Sequence, residues 1–356
     1  MQIGWIHVVD FRNYRTLEYA PAPRLNLLIG PNAHGKTNLL EALGMLIVGR
    51  SFRTPRMAEM PRWGAEGSTI SGELVRGDSS AGRRTVRRTL TRREDDRWQS
   101  AGESVEWARV IAFGWQDLEI VNGAPGARRN FIDGFAGRLY ATHLASLVRY
   151  RQVLARRNRL LQQHAHGDDA AARLEPWNEQ LATVGMELMD RRRKAVAVLQ
   201  TELARTYHAL STTRSKVEVR YRTALGEASE PAALLTALHR AQRADLRRGQ
   251  TLVGPHRDDL AIEIDGVDAR AFGSRGQQRL VALALRLAEV VPVAEAAGTA
   301  PVLLLDDALS ELDPGVREQV LRELGGAEQV FLTSPETLVV KGAAIFQVNA
   351  GGIAPA

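Results

Sequence analysis

Apolar and polar positions in the first fifty residues form two short runs and one longer stretch. Ile3, Trp5 and His7 alternate with Gly4 and Ile6, and Val8 and Val9 extend the run, so a strand is predicted there. Leu25, Asn26, Leu27, Leu28 and Ile29 predict a short buried strand. From Thr37 to Val48 the residues Leu39, Leu40, Leu43, Met45, Leu46 and Ile47 carry a helical pattern. Residues 67–113 read as antiparallel strands. A strand at 68–75 is followed by a turn-rich segment at 77–82. Next comes 83–93, where arginines interleave with Val86, Thr89 and Leu90, and then an apolar strand at 109–113.

Residues 127–213 change character. Pro176 is their only proline, and Leu, Ala, Arg and Glu dominate. Leu139, Leu144, Leu147, Val148, Val153, Leu154, Leu160 and Leu161 have helical spacing. A break at 164–169 separates them from 176–207, where Leu181, Val184, Leu188, Met189, Val196 and Leu199 repeat it. Two long helices in an antiparallel pair are predicted. A strand at Val217, Val219 and Tyr221 and a helix over 231–247 follow. From Thr251 strands and helices alternate again: strand 261–264, helix 275–290, strand 301–305, helix 315–324, strand 329–333. The fully apolar 301–305 run suits the buried centre of a parallel sheet. The predicted architecture is an α/β lobe split in sequence, 1–117 plus 251–356, with a mainly helical lobe inserted at 118–250.

The strand–helix junction near the start carries the first candidate chemistry. Its sequence GPNAHGKT, residues 30–37, fits G-x-x-x-x-G-K-[ST] in full. In such a loop Gly30, Pro31, Asn32, Ala33, His34 and Gly35 turn backbone N–H groups toward phosphate oxygens. Lys36 supplies positive charge for the terminal phosphates, Thr37 a hydroxyl for Mg²⁺, and Asn38 lies next to them in the helix. ATP with Mg²⁺ is the expected cofactor. PVLLLDD at 301–307 supplies the complement. Its strand delivers Asp306 beside the phosphates as a Mg²⁺ ligand, and Asp307 to orient or deprotonate the attacking water.

Charge and composition narrow the partners. The 356 residues hold 47 Lys plus Arg against 41 Asp plus Glu, net +6, and only Lys36, Lys194, Lys216 and Lys341 are lysines. This balance fits a polyanion such as nucleic acid, or else reflects an Arg- and Ala-rich composition. There is no cysteine, so disulfides and Cys-ligated metal sites are excluded, consistent with a reducing compartment. The eight histidines show no metal-ligand spacing. No apolar run reaches the ~18 residues of a membrane helix, and the first residues lack the order of a signal peptide. A cytoplasmic protein without a membrane partner is expected.

Between the two halves of the candidate site stands FGSRGQQR, residues 272–279. Ser274, Arg275, Gly276 and Gln277 resemble the signature loop of the ATP-binding-cassette class. The resemblance implies that this loop closes in trans on the nucleotide of a second copy. Gln116 is similar to the class's glutamine that senses Mg²⁺ and takes part in catalysis with Lys36 and Asp307. Ser310 through Asp313 resemble the loop that crosses the dimer interface. Ser334 stands where the class often has a switch histidine, and Asp307 where most members have glutamate. Both departures imply slow hydrolysis.

The match is closer within one branch. FRNYR at 11–15, the phosphate loop, RRNFID at 128–133, GPHRDDL at 254–260, FGSRGQQR and LLLDDALSELD together resemble the RecF family of bacterial recombination mediators. The resemblance implies an SMC-like ATPase head without a long coiled coil. It also implies an ATP-dependent homodimer with weak DNA-stimulated ATPase activity, working with RecR and RecO to load RecA at gaps. The predicted helical arms, about 45–65 Å at 1.5 Å per residue, suit a compact lobe, with Gly167, Pro176 and Gly185 interrupting any heptad run. Arg12, by the same resemblance, contacts the nucleotide; a plain surface turn is the alternative. His256, Arg257 and Asp258 have no assigned chemistry and read as a structural network joining the lobes. Two basic groups are candidate DNA contacts or solvated faces: Arg83, Arg84, Arg87 and Arg88, and then Arg149, Arg151 and Arg156, with Arg157 and Arg159 beside them. Trp and Tyr are not spaced as a stacking platform, which favours duplex or junction DNA, bound without sequence specificity. The competing readings are a transporter ATPase, disfavoured by the 158 positions between Gln116 and Ser274, and a scaffold that holds ATP without turnover.

Overall fold

The alternating run at the start forms β1 (Gln2–Phe11). Ile3, Ile6, Val8 and Phe11 are its buried positions, and a register shift between Ile3 and Trp5 interrupts the simple alternation. The computed structural model describes residues 1–77, 82–163, 170–324, 327–336, 338 and 340–356. The predicted turn at 77–82 therefore lies largely outside the described residues, and the break at 164–169 wholly so. The chain forms two compact units: Met1–Leu118 with Arg205–Ser215 and Ser274–Ala356, and Glu119–Ala204 with Lys216–Gly273.

In the first unit Arg12, at φ +52°, turns the chain back from β1 into β2 (Tyr14–Tyr19). The apolar pattern did not predict β2, because only Tyr14, Leu17 and Tyr19 face inward. β4 (Gly67–Val75), β5 (Arg83–Arg92) and β6 (Trp98–Gly102) complete an antiparallel sheet of order β2-β1-β4-β5-β6. A second sheet has five parallel strands: β3 (Leu25–Ile29), β7 (Val110–Phe113), β11 (Val302–Leu305), β12 (Val330–Ser334) and β13 (Ala344–Asn349). β14 (Gly352–Pro355) closes one edge antiparallel to β13, and the order is β14-β13-β3-β12-β11-β7.

α1 (Lys36–Val48) packs against both sheets. Leu39, Leu40, Ala42, Leu43, Met45 and Leu46 are all fully buried, so this helix is apolar nearly all round. That pattern marks a core helix rather than a surface one. Each leucine buried in this way contributes roughly 1.5–3 kcal/mol. α8 (Arg275–Leu287), α9 (Val290–Ala297) and α10 (Pro314–Leu324) belong to the same unit. The helix predicted over 275–290 ends sooner, because Pro292 fits only the first turn of a new helix.

In the second unit α2 (Glu119–Asn122), α3 (Pro125–Leu139) and α4 (His143–Gln163) precede α5 (Ala170–Leu210), whose last residues count with the first unit. The first predicted long helix is thus two. Tyr140 is extended, and His143 at the start of α4 bonds back to Asp133 of α3 at 3.0 Å. Pro176 does not end α5, and Gly185 lies inside it. A Cβ on Gly185 would stand 2.7 Å from Leu234, so glycine there permits close packing. α6 (Pro231–Arg248) and the antiparallel sheet of β8 (Val217–Arg222), β9 (Asp259–Ile264) and β10 (Val267–Asp268) complete the unit with α7 (Ala269–Phe272). The expected lobe boundary at 250 falls at 273 instead, because β9 pairs with β8.

Candidate functional site

The phosphate loop begins where β3 ends. Gly30 has φ +149°, and a Cβ there would stand 2.2 Å from the Val348 carbonyl oxygen of β13. Gly35, at φ +116°, faces Asn13 and Tyr14 at 2.7 and 2.8 Å, so both positions require glycine. Gly35 caps α1 without a side-chain acceptor, which leaves the helix's first N–H groups for a ligand. Tyr14 Oη donates to the Gly35 carbonyl at 3.0 Å, and His34 Nδ1 lies 2.8 Å from Asn349 Oδ1. Lys36 Nζ folds back on the loop, donating to Gly30 O at 2.6 Å and Pro31 O at 2.9 Å. Burial holds its pKa below the usual lysine range, against the opposing charges of Asp306 and Asp307.

The carboxyl end of β11 delivers the second half. The Thr37 hydroxyl proton is shared between the Asp306 Oδ1 and Oδ2 atoms, both 2.9 Å away. Thr333 Oγ1, on neighbouring β12, donates to Asp306 Oδ1 at 2.8 Å and accepts the Asp307 N–H at 2.8 Å. Burial pushes the Asp306 pKa up, although Thr333, Thr37 and Arg53 favour its charged form. Asp307 is exposed, at φ +51°. Its carbonyl accepts from Arg279 Nη2 of α8, which also donates to Ser310 Oγ at 2.6 Å. The backbone of Asp307 is thereby fixed while its carboxylate stays open to the cavity.

That cavity has a volume of about 490 Å³. Asn32, Ala33, Gly35, Lys36, Thr37 and Asn38 line it, with Asp306 and Asp307. The rest of the lining was not expected from sequence: Arg53, Trp115, Arg279, Thr333 and Pro335. Arg53 Nη1 donates to Asn38 Oδ1 at 2.8 Å and to Glu41 at 3.0 Å. Glu41 was the available signal, a lone acid in an apolar helix; it is fully buried.

Several of the expected residues outside the lining have partners of their own. Arg12 does not line the cavity; its Nε and Nη2 grip Glu41 at 2.7 and 2.6 Å. Gln116 Nε2 donates to the Arg53 carbonyl at 3.0 Å, and it is neighbouring Trp115, 65% exposed, that lines the cavity. The 3₁₀ turn bearing both is fastened by Asp117 to Arg286 of α8 at 2.6 Å. Ser334 is buried and its hydroxyl bonds the backbone of Glu336, because strand alternation turns Thr333 to the cavity instead. Ser274 caps α8 reciprocally with Gln277, at 3.2 and 2.9 Å. Ser274, Arg275, Gly276 and Gln277 lie at the surface and none of them lines the cavity. Ser310 and Asp313 bracket the loop that leads into α10, with Asp313 O accepting from Arg317 N at 2.9 Å.

Among the candidate DNA contacts, Arg83, Arg84 and Arg87 lie at the surface, Arg83 pairing with Glu73 at 2.9 Å. Arg88 is not available. It is buried and donates to Leu46 O and Ile47 O at the end of α1, satisfying carbonyls the helix leaves open. Arg149, Arg151 and Arg156 are exposed on α4, Arg156 lying 5.5 Å over the Trp177 ring. Arg157 is fully buried against Asn178, Asp245 and Thr251. The GPHRDDL network has its partners inside the second unit. His256 bonds Tyr150 Oη at 2.7 Å and Thr251 O at 3.0 Å, and Arg192 joins Pro255 O to Asp133. Arg128 of RRNFID grips Asp259 at 2.6 and 2.9 Å, so the two motifs meet.

The profile of the family described as RecF/RecN/SMC N terminal domain matches residues 2–350. The "DNA replication and repair protein RecF" of Heliobacterium modesticaldum is 36% identical over 374 residues, 99% of this chain and 98% of the relative. The protein of that name from a Synechococcus species is 36% identical over 380 residues, covering 100% and 98%. A solved structure of the recombination mediator protein RecF with ATP, in the RecFOR pathway, superposes with a TM-score of 0.86 at 28% identity, covering 99% and 97%. An SMC head bound to the winged-helix domain of ScpA shares the fold, with a TM-score of 0.57 at 13% identity over 99% of this chain and 96% of that one.

Proposed function

Because this chain belongs to the RecF family, we propose that it is an ATP-dependent DNA-binding protein of recombinational repair. It dimerises on DNA when ATP binds, hydrolyses ATP weakly under DNA stimulation, and helps RecA load at gaps with RecR and RecO. The observation that carries this reading is the Thr37 hydroxyl shared by both oxygens of Asp306, one residue beyond a lysine that holds two loop carbonyls.

Lys36 Nζ, released from those carbonyls, and the open N–H groups at the start of α1 would hold a triphosphate. Magnesium fits the donor set. Thr37 and Asp306 offer hard oxygen ligands, and a cation offsets the burial and the Asp307 charge that disfavour ionised Asp306. Among the described residues no cluster of three or more His, Asp or Glu forms an all-protein cage, as suits an ion shared with phosphates. When bound, the ion supplies positive charge beside the phosphate oxygens. Asp307 orients the attacking water from a backbone held by Thr333 and Arg279. One methylene shorter than glutamate, it stands further from the water, and Ser334 brings no imidazole, so turnover is slow.

The exposed, capped start of α8 at Ser274–Gln277 supports closure on the nucleotide of a second copy. DNA affinity measured with ATP, with ADP and without nucleotide tests the reading, with Lys36→Met as the control. ATP-dependent binding that Lys36→Met loses is the expected result. Equal affinity in all three conditions would overturn it. The Asp307 and Ser334 departures favour a second reading, a scaffold without turnover. Phosphate release no faster than in Lys36→Arg would decide for it.

A further inference from the structure

The second unit carries positive charge that its neighbouring described acids do not neutralise. α4 contains five arginines and no Asp or Glu. α6 contains four arginines and one acid, Asp245. Asp245 is fully buried and pairs at 2.8 Å with Arg157, which is fully buried too, so it contributes no charge to the surface. Arg159 on α4 and Arg243, Arg247 and Arg248 on α6 are exposed, and none forms an ion pair with a described residue. Asp168 and Asp169 follow α4 in sequence but lie outside the described residues.

The two helices end together. Asn158 Oδ1 accepts from Thr251 N at 2.8 Å and Thr251 Oγ1 at 2.7 Å. A Cβ on Gly249, which caps α6, would stand 3.3 Å from Gln162 Cγ of α4. Arg159, Arg247 and Arg248 are therefore brought to one end of the unit. Arg257 joins them, its Nη2 donating to Thr251 O at 3.1 Å and Gln250 Oε1 at 3.2 Å. On α6 the buried positions are Leu234, Leu238 and Asp245. At 100° per residue Arg243 and Arg247 fall on the opposite, open face with Arg240. Basic residues in a helix's last turn also complement its dipole, for about 0.3–1 kcal/mol each. That accounts for Arg247 and Arg248 but not for Arg159, Arg243 and Arg257.

The chemistry selects phosphate. All the charges are arginine, whose planar fork binds phosphate oxygens in pairs. A lipid surface needs apolar side chains between the charges. The only large apolar residue exposed on either helix is Val148. We propose that the joined ends of α4 and α6, with Arg159, Arg243, Arg247, Arg248 and Arg257, are the surface through which this chain grips the phosphates of DNA. This rests on the DNA-binding reading above and names the surface that reading leaves open. The β5 arginines belong to the other unit and are not part of it.

The test uses the full chain carrying Arg159→Gln, Arg243→Gln and Arg247→Gln, a labelled gapped duplex, ATP, and salt from ~50 to ~200 mM. DNA affinity should fall about tenfold or more at the lower salt, and the slope of log K against log salt should become shallower by about 2–3. Nucleotide binding without DNA is the control, since none of the three lines the cavity. Arg83→Gln with Arg87→Gln should shift affinity by less than about threefold. Unchanged affinity and slope in the triple variant, with wild type binding normally, would overturn this surface alone. Wild type that fails to bind DNA at all would overturn the DNA reading and the surface together. If the triple variant loses nucleotide binding as well, single Arg243→Glu decides by the same slope.

Discussion

Asp306 is more costly to keep charged in this buried site than in water. Burial raises its pKa above the unfolded value, so the stability linked to it is present at low pH and lost as pH rises through the folded pKa. At neutral pH the ionised side chain therefore opposes folding. Asp306→Asn keeps an acceptor for Thr37 and Thr333 and removes that charge. Its melting temperature without nucleotide should rise above that of wild type while magnesium-dependent ATP binding is lost; a lower melting temperature would contradict this balance. His256 shows the opposite sign. Burial, with the charges of Arg257, Arg129 and Arg157, lowers it to about 4, and Tyr150 Oη donates to its Nδ1 while its Nε2–H donates to Thr251 O. A depressed histidine stabilises above its unfolded pKa and loses that stability as pH falls toward 4. Through His256 alone the chain should lose on the order of 3 kcal/mol across this window. Denaturant titrations at pH 7 and pH 4.5 check it, and His256→Gln should flatten the dependence. At this scale Lys36, Thr37, Asp306 and Asp307 were legible because each sits at a fixed step from a glycine or a strand end. Arg53, Arg279 and Thr333 were not, because topology alone brings their elements to the cavity.

Elements follow the same division. α1 was plain from its apolar run, and its burial on all sides explains why that run shows no polar stripe. β5 shows what alternation adds. Val86, Arg88 and Leu90 are its buried positions, so Arg88 lies under the sheet and caps α1 while Arg87 faces out. Arg88→Gln leaves at least one of two buried carbonyls open and should destabilise the chain by about 1–3 kcal/mol with nucleotide affinity unchanged, as chemical denaturation will show. β2 and β13 were missed for opposite reasons. β2 has too few inward apolar residues to show a period, and β13 is half exposed yet pairs in parallel with β3 through Ala344 and Ile345. The start of α8 carries a further expectation. Ser274→Arg keeps an exposed helix start and leaves the cavity untouched. It should bind ATP as wild type does yet fail to dimerise in sedimentation, and dimerisation at the wild-type level would refute the trans assignment.

For the whole molecule, the split α/β unit was legible because the phosphate loop stands near one end of the chain and its complement PVLLLDD near the other. The boundary at 273 was not, since a six-residue strand such as β9 gives no sign of which sheet it joins. Among the described residues no helix is long and apolar enough to cross a membrane. The longest helix, α5, has 41 residues, and none of the described helices extends into a long coiled coil. We propose that ATP joins two copies of the chain. Light scattering of Asp307→Asn, which should bind ATP without hydrolysing it, tests this with no nucleotide, with ADP and with ATP. The mass should be near 39.2 kDa in the first two conditions and doubled with ATP. The same mass in all three would contradict it.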